Sequence, residues 1–387
     1  MANTLNGVVP TLYSALNVVQ REMVGFIPAV RRDSKSDRAA LNQTVRSPIG
    51  VSGALENITP GATPADSGDT TVDYVDVTIT SSKAAPIRWT GEEQLSVTTT
   101  GVVNEILRDQ FADGMRKLVN AIESDIFTAV KAGSSRAYGT AGTTPFGTAG
   151  DLSDLAGVAQ ILDDNGTPVT DRQLVVGSAA MAKLRGIQSV LFKVNEAGSS
   201  DMLRNGMTDR LQNMALRYSG QIVQHVKGAG TGGLINNAST EAIGQTSLTY
   251  DTLTVNTTGI KAGDVVTMAG DSNKYIVKTT TTATSGELVI NKPGLLAAAA
   301  DNAAITVGNS YTGNFAFDRN AVVLAARAPA LPTGGDSADD RMTITDPISG
   351  LTFEVSLYRE YRRIKYEIAM AWGVAVPNPA MVATLLG

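Results

Sequence analysis

The sequence predicts an α+β fold in which a small all-β domain is inserted into a larger domain. Apolar residues recur at intervals of about four between Val103 and Val130, which indicates one long amphipathic helix. Alternating apolar and polar residues on both sides of this segment indicate strands. A threonine-rich segment over 236–312 then interrupts an α/β region with short strands and turns, which is the layout expected of an inserted domain.

The composition excludes several classes of function. The chain has 387 residues, of which 43% are hydrophobic, so it has enough apolar side chains for a substantial core. It has no cysteine, which excludes disulfides and thiol chemistry, and His225 is its single histidine. We therefore expect no His-rich or thiolate metal site. No apolar run has the length needed to cross a bilayer, and we expect neither membrane insertion nor export by the general route.

The charge is distributed unevenly along the chain. Residues 1–46 contain six Lys or Arg and three Asp or Glu, a balance of +3, so the remainder has −5 − 3 = −8. An acidic remainder disfavours phosphate-dominated binding of nucleic acid over most of the surface.

The N-terminal third is predicted to contain an arm, a flap and a long helix. Leu12, Leu16, Val19 and Met23 are spaced for one face of an arm helix. Residues 47–68 are rich in Gly, Pro, Ala, Ser and Thr and predict an extended excursion. Alternation then predicts two strands, over 75–79 and 87–89, which form a flap with its turn at Ser81–Pro86.

The long helix is predicted to begin at the N-cap hydroxyls of Thr98–Thr100 and to end at Gly133. Its length is about 45 Å at 1.5 Å per residue. The spacing of its apolar residues is nearer four than a strict heptad, which favours a core helix over a coiled coil.

The remaining elements follow in order. Helices are predicted at 155–162, 179–185 (with Ser178 as its N-cap) and near 208–216, strands at 173–177 and 221–226, about five strands within 236–312, a strand-like run at 315–326 and a β-rich tail at 342–376.

No motif indicates catalysis. Gly228–Gly233 follows a strand but opens no helix, so a hinge into the insert is favoured over a phosphate-binding loop. Asp163–Asn165 is contiguous and lacks the alternation of a calcium loop, so a turn is favoured. His225 is expected to be structural. We expect no catalytic, cofactor-binding or metal-binding residues, no cofactor and no enzymatic activity.

Five local sequences resemble the coat proteins of P22-like tailed phages: residues 12–16 (LYSAL), 22–30 (EMVGFIPAV), 44–48 (TVRSP), 86–93 (PIRWTGEE) and 317–321 (FDRNA). This resemblance implies the HK97-like capsid fold, with an N-terminal arm, an extended β-hairpin loop, a long spine helix, an axial α/β domain, peripheral β-strands and, as in P22-type proteins, an inserted small β-barrel domain. It implies a division into arm (1–46), hairpin loop (47–97), spine helix (98–133), axial domain (134–235), inserted barrel (236–312), axial return (313–340) and peripheral strands with the C-terminus (341–387).

The resemblance implies a major capsid protein that self-assembles into the icosahedral shell enclosing the double-stranded DNA of a tailed bacteriophage. The expected partners are further copies of the chain in hexamers and pentamers, a scaffolding protein, a portal, and packaged DNA held by weak non-specific contact. The expected location is the virion, after assembly in the host cytoplasm. Two alternatives stay open: a phage tail or surface adhesin protein, and an enzyme with an inserted lid.

Six residues are candidate contacts between subunits. Arg31 and Arg32 belong to the arm, Arg88 and Trp89 to the flap, and Glu92 and Glu93 follow the flap directly. Because the two glutamates lie in a polar setting, ionic contact with arginines of a neighbouring molecule is their expected role.

Overall fold

A computed structural model describes residues 9–19, 25–33, 37–48, 60, 74–100, 103–187, 210–346 and 350–387. The α+β class predicted from the sequence is confirmed. The described helices are α1 (Val9–Val19), α2 (Gly91–Thr100), α3 (Val103–Gly133), α4 (Ser153–Asp164) and α5 (Ser178–Gly186), and 3-10 turns lie at Arg319–Ala321 and Pro379–Met381.

The described strands are β1 (Arg31–Asp33), β2 (Thr44–Pro48), β3 (Tyr74–Thr78), β4 (Ser81–Thr90), β5 (Arg136–Tyr138), β6 (Arg172–Val176), β7 (Arg210–Leu211), β8 (Met214–Tyr218), β9 (Gln224–His225), β10 (Gly233–Ile235), β11 (Ser247–Asp251), β12 (Val265–Met268), β13 (Lys274–Ile276), β14 (Gly286–Val289), β15 (Ala304–Val307), β16 (Tyr311–Asp318), β17 (Val323–Arg327), β18 (Asp340–Thr345), β19 (Thr352–Glu360), β20 (Arg363–Ala375) and β21 (Val382–Leu386).

Helix α3 lies at the centre of the largest hydrophobic core. Its apolar face is buried against α1 and against the first sheet, whose strands run in the order β1, β17, β20, β19, β18, with β4 on the other side of β20. The buried residues of this face include Phe111, Met115, Ile122, Ile126 and Val130. The long helix predicted from the periodicity is confirmed, and it ends at Gly133 as predicted.

Both tryptophans connect the first sheet to α3. The Trp89 indole donates a hydrogen bond to Gln110 Oε1 at 2.7 Å, and the Trp372 indole donates to Asp125 Oδ2 at 2.8 Å. A buried indole N–H without an acceptor would cost about 1–3 kcal/mol. The two acceptors on α3 therefore allow both rings to be buried.

Glu123 of α3 accepts four hydrogen bonds and is fully buried. The backbone N–H groups of Gly25, Phe26 and Ile27 donate to it at 3.3, 3.0 and 2.7 Å, and the Ser219 hydroxyl donates at 2.8 Å. Burial raises the pKa of this carboxyl, while the donated hydrogen bonds act in the opposite direction. One side chain thus connects the arm, the long helix and the loop that follows β8.

The arm turn approaches that loop so closely that it requires glycine. A Cβ atom on Gly25 would lie 2.5 Å from the carbonyl oxygen of Tyr218. The next residue, Phe26, packs its ring 6.3 Å from the ring of Phe127 and 6.2 Å from that of Phe315, measured between centroids. The arm turn is therefore part of the core.

The second sheet has thirteen described strands, and six of them close into a ring. Neighbouring strands pair in the order β14, β11, β10, β15, β12, β13. The ring closes between β13 and β14, where the Lys278 N–H donates to the Val289 carbonyl at 2.8 Å and the Asn291 N–H donates to the Ile276 carbonyl at 3.3 Å. The side chains buried inside it form a separate hydrophobic cluster that includes Tyr250 and Tyr275.

The ring is joined to the rest of the chain in two ways. Strand β13 pairs with β5, which continues the sheet toward β21, β16, β6 and β8. The Asn291 amide donates to the carbonyls of Ala132 and Ser134, both at 2.7 Å, and so satisfies carbonyl groups at the C-terminal end of α3. The domain boundaries given by the sequence analysis stay a prediction.

The predicted turn at Ser81–Pro86 is wrong. These residues belong to β4, which pairs with β20 along its length, whereas β3 pairs with β2. The two predicted strands are present but do not pair with each other, because each finds a partner that is distant in the sequence. Most of the predicted excursion at 47–68, and Met23 of the arm pattern, lie outside the described residues.

Two local predictions of helix structure are also wrong. The residues of the predicted helix at 208–216 that the structure describes form the hairpin β7–β8, in which Gln212 and Asn213 have φ values of 44° and 64°. Two successive positive φ angles suit a two-residue hairpin turn. Thr98–Thr100 are the last residues of a separate helix, α2, and are not an N-cap of α3.

The α/β elements agree better with the predictions. Helices α4 and α5, strand β6 and the strands of the β-rich tail are confirmed. Gly177, and not Ser178, is the N-cap of α5, and no side chain caps it. Of the predicted strand at 221–226, Gln224 and His225 are in strand conformation.

We predict that Glu123→Ala lowers the free energy of unfolding by about 3 kcal/mol or more, because four buried donors lose their acceptor. Glu123→Gln should cost less, about 1–3 kcal/mol, since its amide keeps one oxygen but turns an NH₂ group toward donors. Urea unfolding followed by tryptophan fluorescence measures both. The exposed Glu105 of the same helix provides the control Glu105→Gln, expected to change stability by less than about 0.5 kcal/mol. Equal stability of the Glu123 variants and this control would contradict the prediction.

Candidate subunit interface

The structure does not bring the six predicted contact residues together. Arg31 pairs through β17 with Ala375 at one end of β20, whereas Arg88 pairs with Lys365 near the other end. The ten residue steps from Lys365 to Ala375 span about 33 Å of strand at 3.3 Å per residue. The arm and flap candidates therefore lie on separate parts of the surface.

Trp89 is a core residue of the subunit. Its side chain is 6% exposed and packs with the apolar face of α3. Its alternation with exposed neighbours on β4 reflects the two faces of an edge strand, of which one covers the helix. The burial of Trp89 contradicts its selection as a contact with another molecule, whereas Arg88, the residue before it, is exposed.

Glu93 is used within its own subunit. Its carboxylate accepts the backbone N–H of Thr90 at 2.8 Å, and its own N–H donates to the Thr90 hydroxyl at 3.2 Å. These hydrogen bonds lower the pKa of Glu93 below its usual value. The pair forms a capping box that starts α2, and the Thr-x-x-Glu pattern of residues 90–93 is its sequence signature. This signal was missed because residues 47–97 were assigned to the extended hairpin loop and the long helix was expected to begin at Thr98–Thr100.

The hairpin β19–β20 places an aromatic side chain in solvent directly beside this helix start. Tyr361, in the turn, is 89% exposed, and Leu95 of α2 is 71% exposed. The Gly91 N–H donates to the Arg362 carbonyl at 3.0 Å, which fixes the turn against α2. We name Leu95, Tyr361, Arg359, Arg362, Arg363 and Glu92 the tip patch.

The tip patch combines an apolar centre with a charged rim. The Arg362 guanidinium lies 5.8 Å from the centroid of the Tyr361 ring. Arg359 pairs with Asp339 at 2.9 Å, and Arg363 forms a short ion pair with Glu360. An exposed aromatic residue beside cations is typical of contact surfaces between proteins. Of the predicted contacts, Glu92 belongs to this patch.

The sequence analysis missed the centre of the tip patch. The pattern at 342–376 predicted a β-rich tail and singled out no residue of the turn between its strands. One signal was available in the sequence. Tyr361 occupies a tight turn, where Gly, Asn, Asp, Ser and Pro are usual, so the conformation of the turn does not explain an aromatic residue there.

Arg31 and Arg32 lie on β1, a short strand that pairs in parallel with β17. Arg32 is exposed and Arg31 is half-buried. Burial lowers the pKa of Arg32, and the nearby Arg319 lowers it further, while Asp346 raises it. A contact of these arginines with another subunit stays a prediction.

The other residues considered above have structural partners. His225 Nε2 lies 2.7 Å from Oδ1 of the buried Asp264, which also accepts the Gly228 N–H at 3.0 Å. Asp163 pairs with Arg172 at 2.7 Å. Across the described ranges, no group of three His, Asp or Glu residues is placed to hold a metal ion. None of the helices in the described part is both long and apolar enough to cross a membrane.

Comparison with known proteins gives similarity at the level of structure. No family model and no curated protein matches the chain. The capsid of cyanophage P-SCSP1u is similar over 95% of this chain and 88% of its own, at 12% identity and a TM-score of 0.47. The capsid of Ralstonia phage GP4 is similar over 92% and 86%, at 10% identity and a TM-score of 0.47.

A third similar structure is the virus-like particle from Pyrococcus furiosus, which covers 97% of this chain and 98% of its own at 11% identity and a TM-score of 0.43.

We predict that Tyr361→Ser weakens self-association of the chain about tenfold, which corresponds to the loss of about 1.4 kcal/mol at one contact. Light scattering against protein concentration measures this change. Because the side chain is exposed, the urea midpoint of the isolated subunit should stay the same. The control Tyr361→Phe keeps the ring and should associate as the wild type does. Unchanged association of the serine variant would show that the tip patch is not a contact.

Proposed function

We propose that this chain is a major capsid protein of the HK97-like fold, related to the coat proteins of P22-like phages. In this proposal it forms the icosahedral shell around the double-stranded DNA of a tailed bacteriophage. Its role is structural and involves no catalytic residue. Its partners are other copies of itself in hexamers and pentamers, a scaffolding protein, a portal and the packaged DNA, and its location is the virion after assembly in the host cytoplasm.

The observation that carries the proposal is the position of the resembling sequences in the fold. Residues 25–30 of the arm form the turn that donates to Glu123, and residues 44–48 form β2. Residues 86–93 form the end of β4 and the start of α2, and residues 317–321 form the end of β16 and the 3-10 turn after it. These segments occupy junctions between elements, where a similar sequence supports a similar connection.

The shape of the subunit also supports a shell. The tip patch adjoins α2 at the N-terminal side of α3, and the strand ring is attached at its C-terminal end. The helix between them is about 46 Å long at 1.5 Å per residue. A subunit that spreads along such an axis covers area, and its exposed aromatic tip becomes buried when neighbours assemble.

The role of the strand ring is part of the proposal. We expect the ring to stabilise the subunit or aid its folding, and we do not assign it a ligand. Three contacts support this role: β13 pairs with β5, Asn291 donates to the end of α3, and Asp264 accepts from the Gly228 N–H and contacts His225. Deletion of residues 236–312 should therefore reduce the folding yield.

Negative-stain electron microscopy of the purified protein under assembly conditions tests the proposed function. Closed shells or polyheads of capsid size are expected. Fibres or tubes with a regular subunit repeat would favour the tail or adhesin alternative, and a strictly monomeric protein would contradict the capsid proposal.

We predict that Asn291→Ala lowers the free energy of unfolding by about 1–3 kcal/mol, because two carbonyls at the end of α3 lose their buried donor. Urea unfolding of the unassembled subunit measures the change. Asn309 is an exposed asparagine close in sequence to the ring, and Asn309→Ala should change stability by less than about 0.5 kcal/mol. If both variants unfold at the same urea concentration, the Asn291 contact does not stabilise the subunit.

A further inference from the structure

Three arginines from distant parts of the chain converge where the two large sheets meet. Arg32 lies on β1, Arg217 on β8, and Arg319 begins the 3-10 turn before β17. We name these three residues the arginine cluster. The proposed function assigns them no role, and the sequence analysis considered Arg32 alone.

Hydrogen bonds connect two members of the cluster. Arg217 Nε donates to Gln173 Oε1 at 2.8 Å, and the Gln173 amide donates to Asp171 Oδ1 at 2.7 Å. Arg319 Nε lies 3.3 Å from the other carboxylate oxygen of Asp171, and the Arg319 N–H donates to the Asp171 carbonyl at 3.2 Å. Gln173 is itself buried; it joins Arg217 to Asp171, with which the Arg319 side chain forms an ion pair.

Arg32 reaches the same place from the first sheet. Its neighbour Arg31 donates its N–H to the Val322 carbonyl at 3.0 Å, three residues after Arg319. The Arg32 side chain lies over Gly350, where a Cβ atom would be 2.8 Å from Nη1. Burial lowers the pKa of Arg217, and Arg319 and Arg32 lower it further, while Asp171 raises it. Arg319 and Arg32 therefore each act on the Arg217 guanidinium as a like charge.

The cluster keeps a positive charge. In the described part of the chain, Asp171 acts on Arg217 and the buried Asp346 acts on Arg32, so these five groups together have a charge of 3 − 2 = +1. The whole chain has a net charge of −5. The arginine cluster is therefore a local cationic site on an acidic protein, and all three side chains remain partly open to solvent.

The chemistry of the cluster fits phosphate. A guanidinium group presents planar pairs of N–H donors that match phosphate oxygens, and it stays charged when partly buried. The contacts of the three arginines described above involve amide and carboxylate groups and no aromatic ring. Recognition through guanidinium groups suits the phosphate backbone of a duplex.

We propose that the arginine cluster binds phosphate groups of double-stranded DNA, so that this surface faces the interior of the shell. The inference rests on the proposed function for the identity of the ligand. Three phosphate contacts give a weak, sequence-independent affinity, with log K falling against log salt at a slope of about −2.7. Such weak binding would keep the genome near the inner surface of the shell and still allow it to dissociate readily.

Binding of a fluorescent 20-base-pair duplex to unassembled subunits, measured by anisotropy over a range of salt concentrations, tests the proposal. Arg217→Gln with Arg319→Gln should reduce the magnitude of the salt slope by about 2, and Arg32→Gln alone by about 1. The matched control, Arg88→Gln with Arg108→Gln, removes the same charge from β4 and α3 and should reduce it by less than about 0.5.

The urea midpoint and the particles formed by each variant complete the test. Arg32 is exposed on an edge strand, so Arg32→Gln should fold even if the double variant does not. Equal loss of duplex binding in the cluster and control variants, or no duplex binding by the wild type, would overturn the proposal. Variants that bind the duplex normally but fail to form shells would show instead that the cluster contacts a neighbouring subunit. If the wild type fails to form shells, the capsid proposal is contradicted. The duplex-binding proposal is judged separately, because anisotropy measures binding to the unassembled subunit.

Discussion

The subunit depends on one buried carboxylate. Glu123 has no exposed surface, and its charge would be costly there without partners. Three N–H groups of the arm turn and the Ser219 hydroxyl supply those partners, and all four belong to segments far from position 123 in the sequence. Because the hydrogen bonds require all three segments to be in place, the arm, the long helix and the second sheet take their positions together.

Helix α3 then sets the dimensions of the molecule. Its apolar face packs against the first sheet, and both indoles donate hydrogen bonds to its side chains. Its C-terminal carbonyls accept hydrogen bonds from the Asn291 amide next to the strand ring. The exposed Tyr361 lies beside α2, which precedes α3 in the chain. The tip patch and the strand ring therefore lie toward opposite ends of α3. In the proposed shell, this separation distributes contacts over distance.

Local signals allowed much of this fold to be predicted. The periodicity from Val103 to Val130 predicted α3, and the signals for α4, β6 and α5 were equally local and correct. The surroundings of the candidate contact residues were predicted less well, since Trp89 is buried and Glu93 caps a helix. Alternation on a strand shows that two faces differ, but it does not show which face another element of the same subunit will cover.

The sequence by itself determined the α+β class, the long central helix, the β-rich segment and the lack of any thiol chemistry, because these follow from composition and from patterns within a few turns of chain. Only the tertiary structure decided that β4 pairs with β20 and β3 with β2, that six strands of the second sheet close into a ring, and that Arg217 and Arg319 are connected through Gln173 and Asp171. These features depend on pairing between residues up to about three hundred positions apart, and strand pairing energies are too similar from one partner to another for local sequence to choose among them.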